Sequence, residues 1–291
     1  MTKKRSQSLA ERLIKNSRNT AYQLDKSPVY ADKEIVSTDF PLLNVAWSGS
    51  VKGGYEEGKI TTFAGPSKHG KTFLSFVSAK AFQDKYEDGI ILFFDIEYGT
   101  PMDYLEGIGI DLDRMVHVPI TNLEELKFDI VNQLNNLQEG DKVCIVLDSL
   151  SNTPSKKELE DTLSEKSTAD MTRAREAKSL FRMITPLLAK HKVPMFVITH
   201  VYQSMDFISK AVVSGGQGIY YSSHNIFMLG RQQIKEGKDI VGWNFVLNVE
   251  KGRDVKEKSK FLLEVHEDTG INRFSGLLDI GEQTGFIIRP S

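Results

Sequence analysis

Eight consecutive residues constrain the fold of this chain most, because residues 65–72 match the pattern G-x-x-x-x-G-K-[ST] without a mismatch. A β-prone run at residues 59–64 precedes them, and apolar residues at helical spacing follow between Phe73 and Phe82. Strand, glycine loop and helix are the context that a phosphate-binding loop requires; a plain glycine turn before an amphipathic helix is the alternative. The predicted phosphate-binding residues are Gly65, Pro66, Ser67, Lys68, His69, Gly70, Lys71 and Thr72.

The residue types in this loop suit a nucleoside triphosphate. Gly65 and Gly70 let successive backbone N–H groups turn toward phosphate oxygens. The helix predicted to begin near Lys71 adds the positive end of its dipole to the same site. Lys71 is expected to bridge the β- and γ-phosphates, and Thr72 is expected to offer its hydroxyl to Mg²⁺. The base-reading tetrapeptide of GTPases and the arginine-rich lid of small-molecule kinases are both missing from the sequence, so ATP and Mg²⁺ are the predicted cofactors.

Three apolar runs end in polar residues that suit such a site. The runs are residues 90–94, 142–147 and 194–199, and the polar residues at their ends are Glu97, Asp148 and His200. Continuous apolar runs are typical of buried parallel strands, whose carboxyl ends line the ligand crevice. Asp148 is expected to hold Mg²⁺ through its water shell, and Glu97 to polarise the attacking water. Ordinary carboxylates at strand ends are the alternative for both residues.

Strands that alternate with helices through residue 200 predict a parallel sheet covered on both faces. One helix opens at Asn122, and another runs from Asp170 to Leu188, with Pro186 as a kink or an end. Residues 42–58 contain four glycines and are expected to be rich in turns. Later strands are predicted at Asn225–Leu229, Trp243–Val249, Phe261–Val265 and Phe286–Ile288. The predicted fold class is α/β: a P-loop ATPase core with a mainly parallel, twisted sheet, flanked by helices and extended by antiparallel strands toward the C-terminus.

Charge and patterning divide the chain into two parts. Residues 1–34 carry eight basic and four acidic side chains, although the whole chain has a formal net charge of −2. Ser8 and Glu11 form a capping-box pattern ahead of a short amphipathic helix. Residues 1–35 are therefore interpreted as an N-terminal helix and linker for subunit packing, with a solvated basic arm as the alternative. Residues 36–291 are interpreted as the ATPase core. A DNA-binding surface must then be a local patch.

The single cysteine, Cys144, lies within an apolar run, so it is expected in the core and no intrachain disulfide can form. The sequence contains no apolar stretch of membrane-spanning length, and its basic N-terminus lacks an apolar signal core. These features favour a reducing, cytoplasmic setting and predict no membrane partner.

Further motifs resemble those of RecA-type recombinases, most closely the tailed-phage branch of that family, from about Leu9 to Arg289. They are Asp148-Ser-Leu-Ser-Asn152, Ser155-Lys-Lys-Glu158, Asp170-Met-Thr-Arg173, Lys178-Ser-Leu-Phe-Arg182, Phe245-Val-Leu-Asn-Val-Glu-Lys251, Val255-Lys-Glu-Lys-Ser-Lys-Phe261 and Ser275-Gly-Leu-Leu-Asp279. The resemblance implies a DNA-dependent ATPase that forms ATP-dependent helical filaments on single-stranded DNA. It also implies homologous pairing with double-stranded DNA and strand exchange in the recombination, repair and replication of a bacteriophage.

The resemblance also implies roles for individual residues. Glu97 matches the glutamate that activates water, and Tyr104 falls where an aromatic ring stacks on adenine. His200 stands where bacterial relatives have a glutamine that senses the γ-phosphate. Lys251 and Arg253 match a pair that reaches the ATP of the adjacent subunit. The alternative for Tyr104 is a core tyrosine, and that for His200 is a core histidine with its hydrogen bonds satisfied. For Lys251 and Arg253 the alternative is a solvated basic strand edge.

Two loops match the family's DNA-binding loops, residues 151–169 and residues 201–223. Their basic candidates are Lys156, Lys157 and Lys210. Mediator proteins, single-stranded-DNA-binding proteins and further copies of the chain are the implied partners, in a host bacterial cytoplasm. An ATP-gated DNA-binding mediator and a hexameric helicase are the alternatives, although the amino-terminal scaffold of such helicases has no match in the sequence. Family members normally continue into an acidic tail, whereas this sequence stops at Ser291; a shortened piece and a naturally short relative both fit.

Overall fold

The computed structural model describes residues 8–27, 30, 33–164, 171–203, 211–266 and 270–288. The chain forms two compact units, residues 1–34 and residues 35–291. Within the described residues, no helix has both the length and the apolarity needed to span a bilayer. The predicted roles of the two parts, subunit packing and ATPase core, stay predictions.

The N-terminal unit contains one short helix, α1 (Leu9–Asn16), followed by a 3₁₀ turn at Leu24–Lys26. The predicted capping box is confirmed: the Ser8 hydroxyl accepts from the Glu11 N–H at 3.2 Å, and the Glu11 carboxylate accepts from the Ser8 N–H at 2.9 Å. Leu9 and Leu13 remain 63% and 62% exposed. A helix of this length is marginal in water without an apolar face to pack against.

The larger unit is built on one long sheet. Its described strands have the order β13-β12-β11-β10-β3-β7-β6-β4-β5, and the pairs β1-β2 and β8-β9 lie outside it. The strands are β1 (Ile35–Val36), β2 (Tyr55–Glu56), β3 (Ile60–Ala64), β4 (Ile90–Asp95), β5 (Met115–Pro119), β6 (Val143–Asp148), β7 (Met195–Thr199), β8 (Val201–Gln203), β9 (Ala211–Val213), β10 (Asn225–Glu236), β11 (Asp239–Lys251), β12 (Lys260–His266) and β13 (Gly270–Ile271).

The direction of the strands decides where their ends meet. Six strands run parallel to one another, namely β10, β3, β7, β6, β4 and β5. At one edge, β11, β12 and β13 are added in antiparallel pairs, beginning with β11 on β10. Ala64 pairs with Thr199, and Asp95 pairs with Asp148, so the carboxyl ends of four strands lie along one edge. The predicted fold, a parallel core with antiparallel strands added toward the C-terminus, is confirmed.

Helices cover both faces of this sheet. Neighbouring strand residues point to opposite faces: Phe93 packs in one apolar cluster with the helices Pro41–Ser48 and Lys71–Lys85, and Phe94 packs in the other with the helices Leu123–Asn136 and Thr172–His191. Cys144 lies fully buried in the first cluster, as predicted. The helices after α1 are α2 (Pro41–Ser48), α3 (Lys71–Lys85), α4 (Met102–Ile108), α5 (Leu123–Asn136), α6 (Lys156–Leu163), α7 (Thr172–His191), α8 (Gly216–Ser222) and α9 (Leu277–Gln283).

The prediction that residues 42–58 are rich in turns is wrong for their first half, which forms α2. Pro41 occupies the first turn of this helix, where its missing N–H is harmless, and Gly49 ends it in the left-handed conformation at φ +72°. Trp47 is 2% exposed and lies edge-on to Tyr55, Phe63 and Phe227. The helix is therefore held by tertiary packing rather than by a long periodic pattern.

One other prediction needs correction, and one pair of alternatives can be decided. Residues 286–288 do not form a strand: they follow α9 through a turn, and Phe286 is 91% exposed. Pro186 does not end α7, which continues to His191. A proline removes one helical hydrogen bond, and here the buried face on both sides, including Ile184 and Leu188, holds the helix together.

Trp47 gives a test of the packing of α2. Replacing Trp47 with Ala is expected to lower the free energy of unfolding by about 3–5 kcal/mol, because the change empties a buried aromatic site. Urea unfolding followed by circular dichroism measures this free energy. Leu278→Ala, at a side chain that is 54% exposed, should change it by less than about 0.5 kcal/mol. A loss below about 1 kcal/mol for Trp47→Ala would contradict the described packing.

Candidate active site

The loop between β3 and α3 has the geometry of an anion cradle. Gly70, the N-cap of α3, has φ +81°, and no side chain of the described residues caps this helix. A Cβ at Gly70 would lie 3.2 Å from the Phe245 ring, and one at Gly65 would lie 2.9 Å from the Leu229 carbonyl oxygen. The first N–H groups of a helix have no partner within the helix. The loop thus presents free N–H groups and the positive end of a helix dipole to an anion.

Lys71 is the first residue of α3 and is only 7% exposed. Its ammonium group donates to the Pro66 carbonyl oxygen at 2.8 Å, back across the loop. Burial lowers the pKa of Lys71, while the nearby charges of Asp148 and Glu97 act in the opposite direction. A buried cation of this kind suits a phosphate oxygen, which can replace the carbonyl as its partner.

Thr72 and Asp148 form the part of the site that fits Mg²⁺. The Thr72 hydroxyl donates to the Asp148 carboxylate at 2.9 Å, and burial raises the pKa of Asp148 to about 6, with the Glu97 charge as a second cause. Among the described residues, no three His, Cys, Asp or Glu side chains cluster closely enough to hold a metal ion. One hydroxyl and one carboxylate suit Mg²⁺ that is also bound by nucleotide phosphates and water.

Glu97 follows β4 and is held at both its backbone and its side chain. The Asp95 carboxylate accepts from the N–H groups of Glu97 at 3.1 Å and of Tyr98 at 2.8 Å. Glu97 Oε1 accepts from Asn152 Nδ2 at 2.9 Å and from the Ser149 hydroxyl. Its carboxylate therefore has a defined position beside the phosphate loop.

His200 lies directly after β7, close to Glu97. Its Nε2 is 3.7 Å from Glu97 Oε1, and its backbone N–H donates to the Ser151 hydroxyl at 2.9 Å. An imidazole at this place can donate a hydrogen bond to a ligand or to the carboxylate.

One cavity of about 980 Å³ brings most of the predicted residues together. Its polar end contains residues 67–72 with Glu97, Asp148 and His200, and Tyr104 also lines it. Burial raises the pKa of Tyr104 to about 12, although its side chain is still 39% exposed. Gly65 and Pro66, the first two residues of the loop, are not part of this lining. Sequence reasoning missed the apolar lining, which comes from separate elements: Phe40, Phe73, Val77, Ile108, Val265 and Ile271.

Lys251 and Arg253 do not line this cavity. β11 runs toward the amino ends of the parallel strands, and its last residue, Lys251, pairs with Ile226 in β10. Lys251 Nζ donates to the carbonyl oxygens of Tyr220 at 2.7 Å and Tyr221 at 3.2 Å, and burial lowers its pKa. Arg253 lines a separate groove of about 510 Å³ together with other basic residues, namely Lys59, Lys178 and Arg182.

The predicted DNA-binding residues are only partly described. Lys156 and Lys157 are exposed in the first turn of α6, where the Lys156 backbone N–H donates to the Glu124 carboxylate at 2.9 Å. Lys210 lies outside the described residues, as do residues 165–169 of the first loop. The described part of the second loop forms β8, β9 and α8. The DNA contacts stay predictions.

These features define a P-loop protein whose candidate active site lies at the carboxyl edge of its parallel strands. The chain belongs to the RecA family, because the model of the RecA N-terminal domain matches residues 15–271. It is 44% identical over 284 residues to the recombination and repair protein of Enterobacteria phage T4, which covers 97% of this chain and 72% of that protein.

More distant relatives are RecA proteins of bacteria. The RecA of a Nocardioides species is 25% identical over 262 residues, covering 89% of this chain and 72% of that protein. The RecA of Bacteroides thetaiotaomicron is 26% identical over 257 residues, covering 87% of this chain and 75% of that protein. The predicted resemblance to RecA-type recombinases and their phage branch is confirmed.

The raised pKa of Asp148 predicts how the stability of the nucleotide-free protein depends on pH. Because the folded pKa of about 6 exceeds the ordinary value, ionising Asp148 destabilises the fold as pH rises from about 4 through 6. Asp148→Asn keeps an acceptor for Thr72 and cannot ionise. It should therefore stabilise the protein at pH 8 by about 1–3 kcal/mol and by much less near pH 4.5.

Thermal and urea unfolding at the two pH values measure this difference. Asp88→Asn, at an exposed carboxylate before β4, serves as the control and should change stability by less than about 0.5 kcal/mol at either pH. An Asp148→Asn variant that is less stable than the wild type at pH 8 would contradict the assigned burial.

Proposed function

We propose that this chain is a DNA-dependent ATPase that forms ATP-dependent filaments on single-stranded DNA and catalyses homologous pairing and strand exchange. The observation that carries this proposal is the convergence of Lys71, Asp148, Glu97 and His200 on one cavity. Membership of the RecA family and the similarity to a phage recombination and repair protein support the role in recombination.

The polar residues that were predicted for the site have distinct roles in the proposed hydrolysis. The loop N–H groups and Lys71 bind the β- and γ-phosphates. Thr72 and Asp148 would hold Mg²⁺, which when bound would supply positive charge beside the phosphates. Glu97 orients the attacking water and accepts its proton. His200 contacts the γ-phosphate region and, through the backbone bond to Ser151, connects it to the start of the first loop. Tyr104 packs against the adenine.

The position of Lys251 and Arg253 supports a site shared between subunits. Both residues lie away from the phosphate loop of their own chain, at the amino side of the sheet. In a head-to-tail contact, this side of one copy faces the cavity of the next, so the two cations neutralise charge on the nucleotide of a neighbour. A contact of this type that does not close gives a helical filament. On this filament, the two predicted loops bind DNA with their basic residues Lys156, Lys157 and Lys210.

Glu97 gives the direct test of the catalytic part of this proposal. Glu97→Gln keeps the size of the side chain and removes its ability to accept a proton. ATP turnover on single-stranded DNA should fall by at least about 100-fold, while binding of a fluorescent ATP analogue is retained. Glu139→Gln, at an exposed carboxylate before β6, is the matched control and should leave turnover unchanged. Unchanged turnover in Glu97→Gln would remove Glu97 from the mechanism.

The shared site gives a complementation test. Lys71→Ala and Lys251→Ala should each reduce ATP turnover on the order of 1,000-fold, because each removes one cation from every site. An equal mixture should recover up to about a quarter of the wild-type rate, the share of interfaces that combine two intact halves by random assembly.

The control mixes Lys71→Ala with Asp148→Asn, which damage the same half of the site and should stay inactive together. Light scattering with DNA verifies that the mixed variants assemble. Co-assembly of Lys71→Ala and Lys251→Ala without any recovered activity would count against a shared site.

A further inference from the structure

The short turn after β6 is built as a rigid platform. Leu150 and Thr153 are fully buried, and the Thr153 hydroxyl donates to the Ser149 carbonyl oxygen at 2.9 Å. Arg173, near the start of α7, holds the turn at residues 150–153 by hydrogen bonds. Its guanidinium donates to the carbonyl oxygens of Leu150, Ser151 and Thr153, each at 2.9 Å. Three charge-assisted hydrogen bonds from one planar group fix the direction of the turn.

Asn152 projects from this platform to Glu97. The residue is exposed, yet its Nδ2 lies 2.9 Å from Glu97 Oε1, where the Ser149 hydroxyl also donates. The other end of Glu97 is tied through its N–H to the Asp95 carboxylate. Glutamate has several rotatable bonds, so a carboxylate bonded only at its backbone would sample many positions.

We propose that Asn152 is a positioning residue that orients the Glu97 carboxylate toward the attacking water; this inference rests on the proposed ATP hydrolysis. The two donors both bond Oε1, and the attacking water is assigned to Oε2. An amide is suited to this place because Nδ2 donates a hydrogen bond but carries no charge. It therefore does not compete with the attraction between the charges of Lys71 and Glu97. Loss of a supporting hydrogen bond of this kind typically lowers activity by about 10- to 100-fold.

The place of Asn152 in the chain connects this contact to DNA. Residue 152 belongs to the segment 151–169, which is predicted to contact single-stranded DNA. A change in the conformation of residue 152 on DNA binding would therefore alter the hydrogen bond to Glu97. Because a variant at residue 152 could also change DNA binding, the effect on hydrolysis must be measured with and without DNA.

The test compares Asn152→Ala with Asn152→Asp. With saturating single-stranded DNA, Asn152→Ala should lower kcat for ATP about tenfold with KM unchanged within about twofold, since only the orientation of the water is lost. Asn152→Asp has the same shape but cannot donate and repels Glu97, so its kcat should fall further. Asn136→Ala, which removes an exposed amide whose hydrogen bonds among the described residues lie within α5, is the control.

A residue that mattered only for the shape of the turn would give a different pattern. Asn152→Asp would then behave like the wild type, and that result would overturn the proposal. In a Glu97→Gln background, Asn152→Asp should change the residual rate less than about twofold, because the charge repulsion is gone. A full additional loss there would also overturn it.

Two further measurements separate the explanations. Anisotropy of a labelled oligonucleotide gives DNA affinity, and a loss of kcat that disappears at saturating DNA would overturn the positioning role. A wild-type protein without ATPase activity would contradict the proposed function and this inference together. An active wild type with an unaffected Asn152→Asp variant would contradict only the role of Asn152.

Discussion

The uncapped start of α3, at the carboxyl end of β3, is the constraint on which the rest of the site depends. Free N–H groups at a helix start require an anion or water, and the sheet places other groups around the same point. β7 lies beside β3, and β6 and β4 follow, all in parallel register. Their ends bring His200, Asp148 and Glu97 to one edge although long segments of sequence separate them. The chemistry of the cavity is therefore a consequence of strand direction.

Burial disfavours the charged forms of two side chains in the site, Lys71 and Asp148. Burial lowers the pKa of Lys71 and raises that of Asp148, so each is pushed toward its neutral form. Their present partners, the Pro66 carbonyl and the Thr72 hydroxyl, are neutral dipoles. Under the proposed function, phosphate and Mg²⁺ would supply full opposite charges at these places. Part of the binding free energy would then come from compensating the desolvation of these two charges.

The sequence predicts the parts of this molecule that depend on local pattern. Buried parallel strands are continuous apolar runs, so β4, β6 and β7 and the residues at their ends could be located, including Asp148 and His200. The helix α2 could not, because its eight residues lie beside several glycines and Trp47 is ordered by distant aromatic rings. The contact of Asn152 with Glu97 joins residues 55 positions apart and depends on the conformation of one turn. No spacing rule reports such a contact.

The direction of β11 carries Lys251 to the side of the sheet away from the phosphate loop. Under the proposed shared site, one face of each subunit provides the loop and the opposite face provides the cations. An open row of such subunits has a polarity and contains one fewer complete site than it has members. The subunit at one end would bind a nucleotide that no neighbour helps to hydrolyse. Subunits of identical sequence would therefore stay bound for different times at the two ends of the assembly.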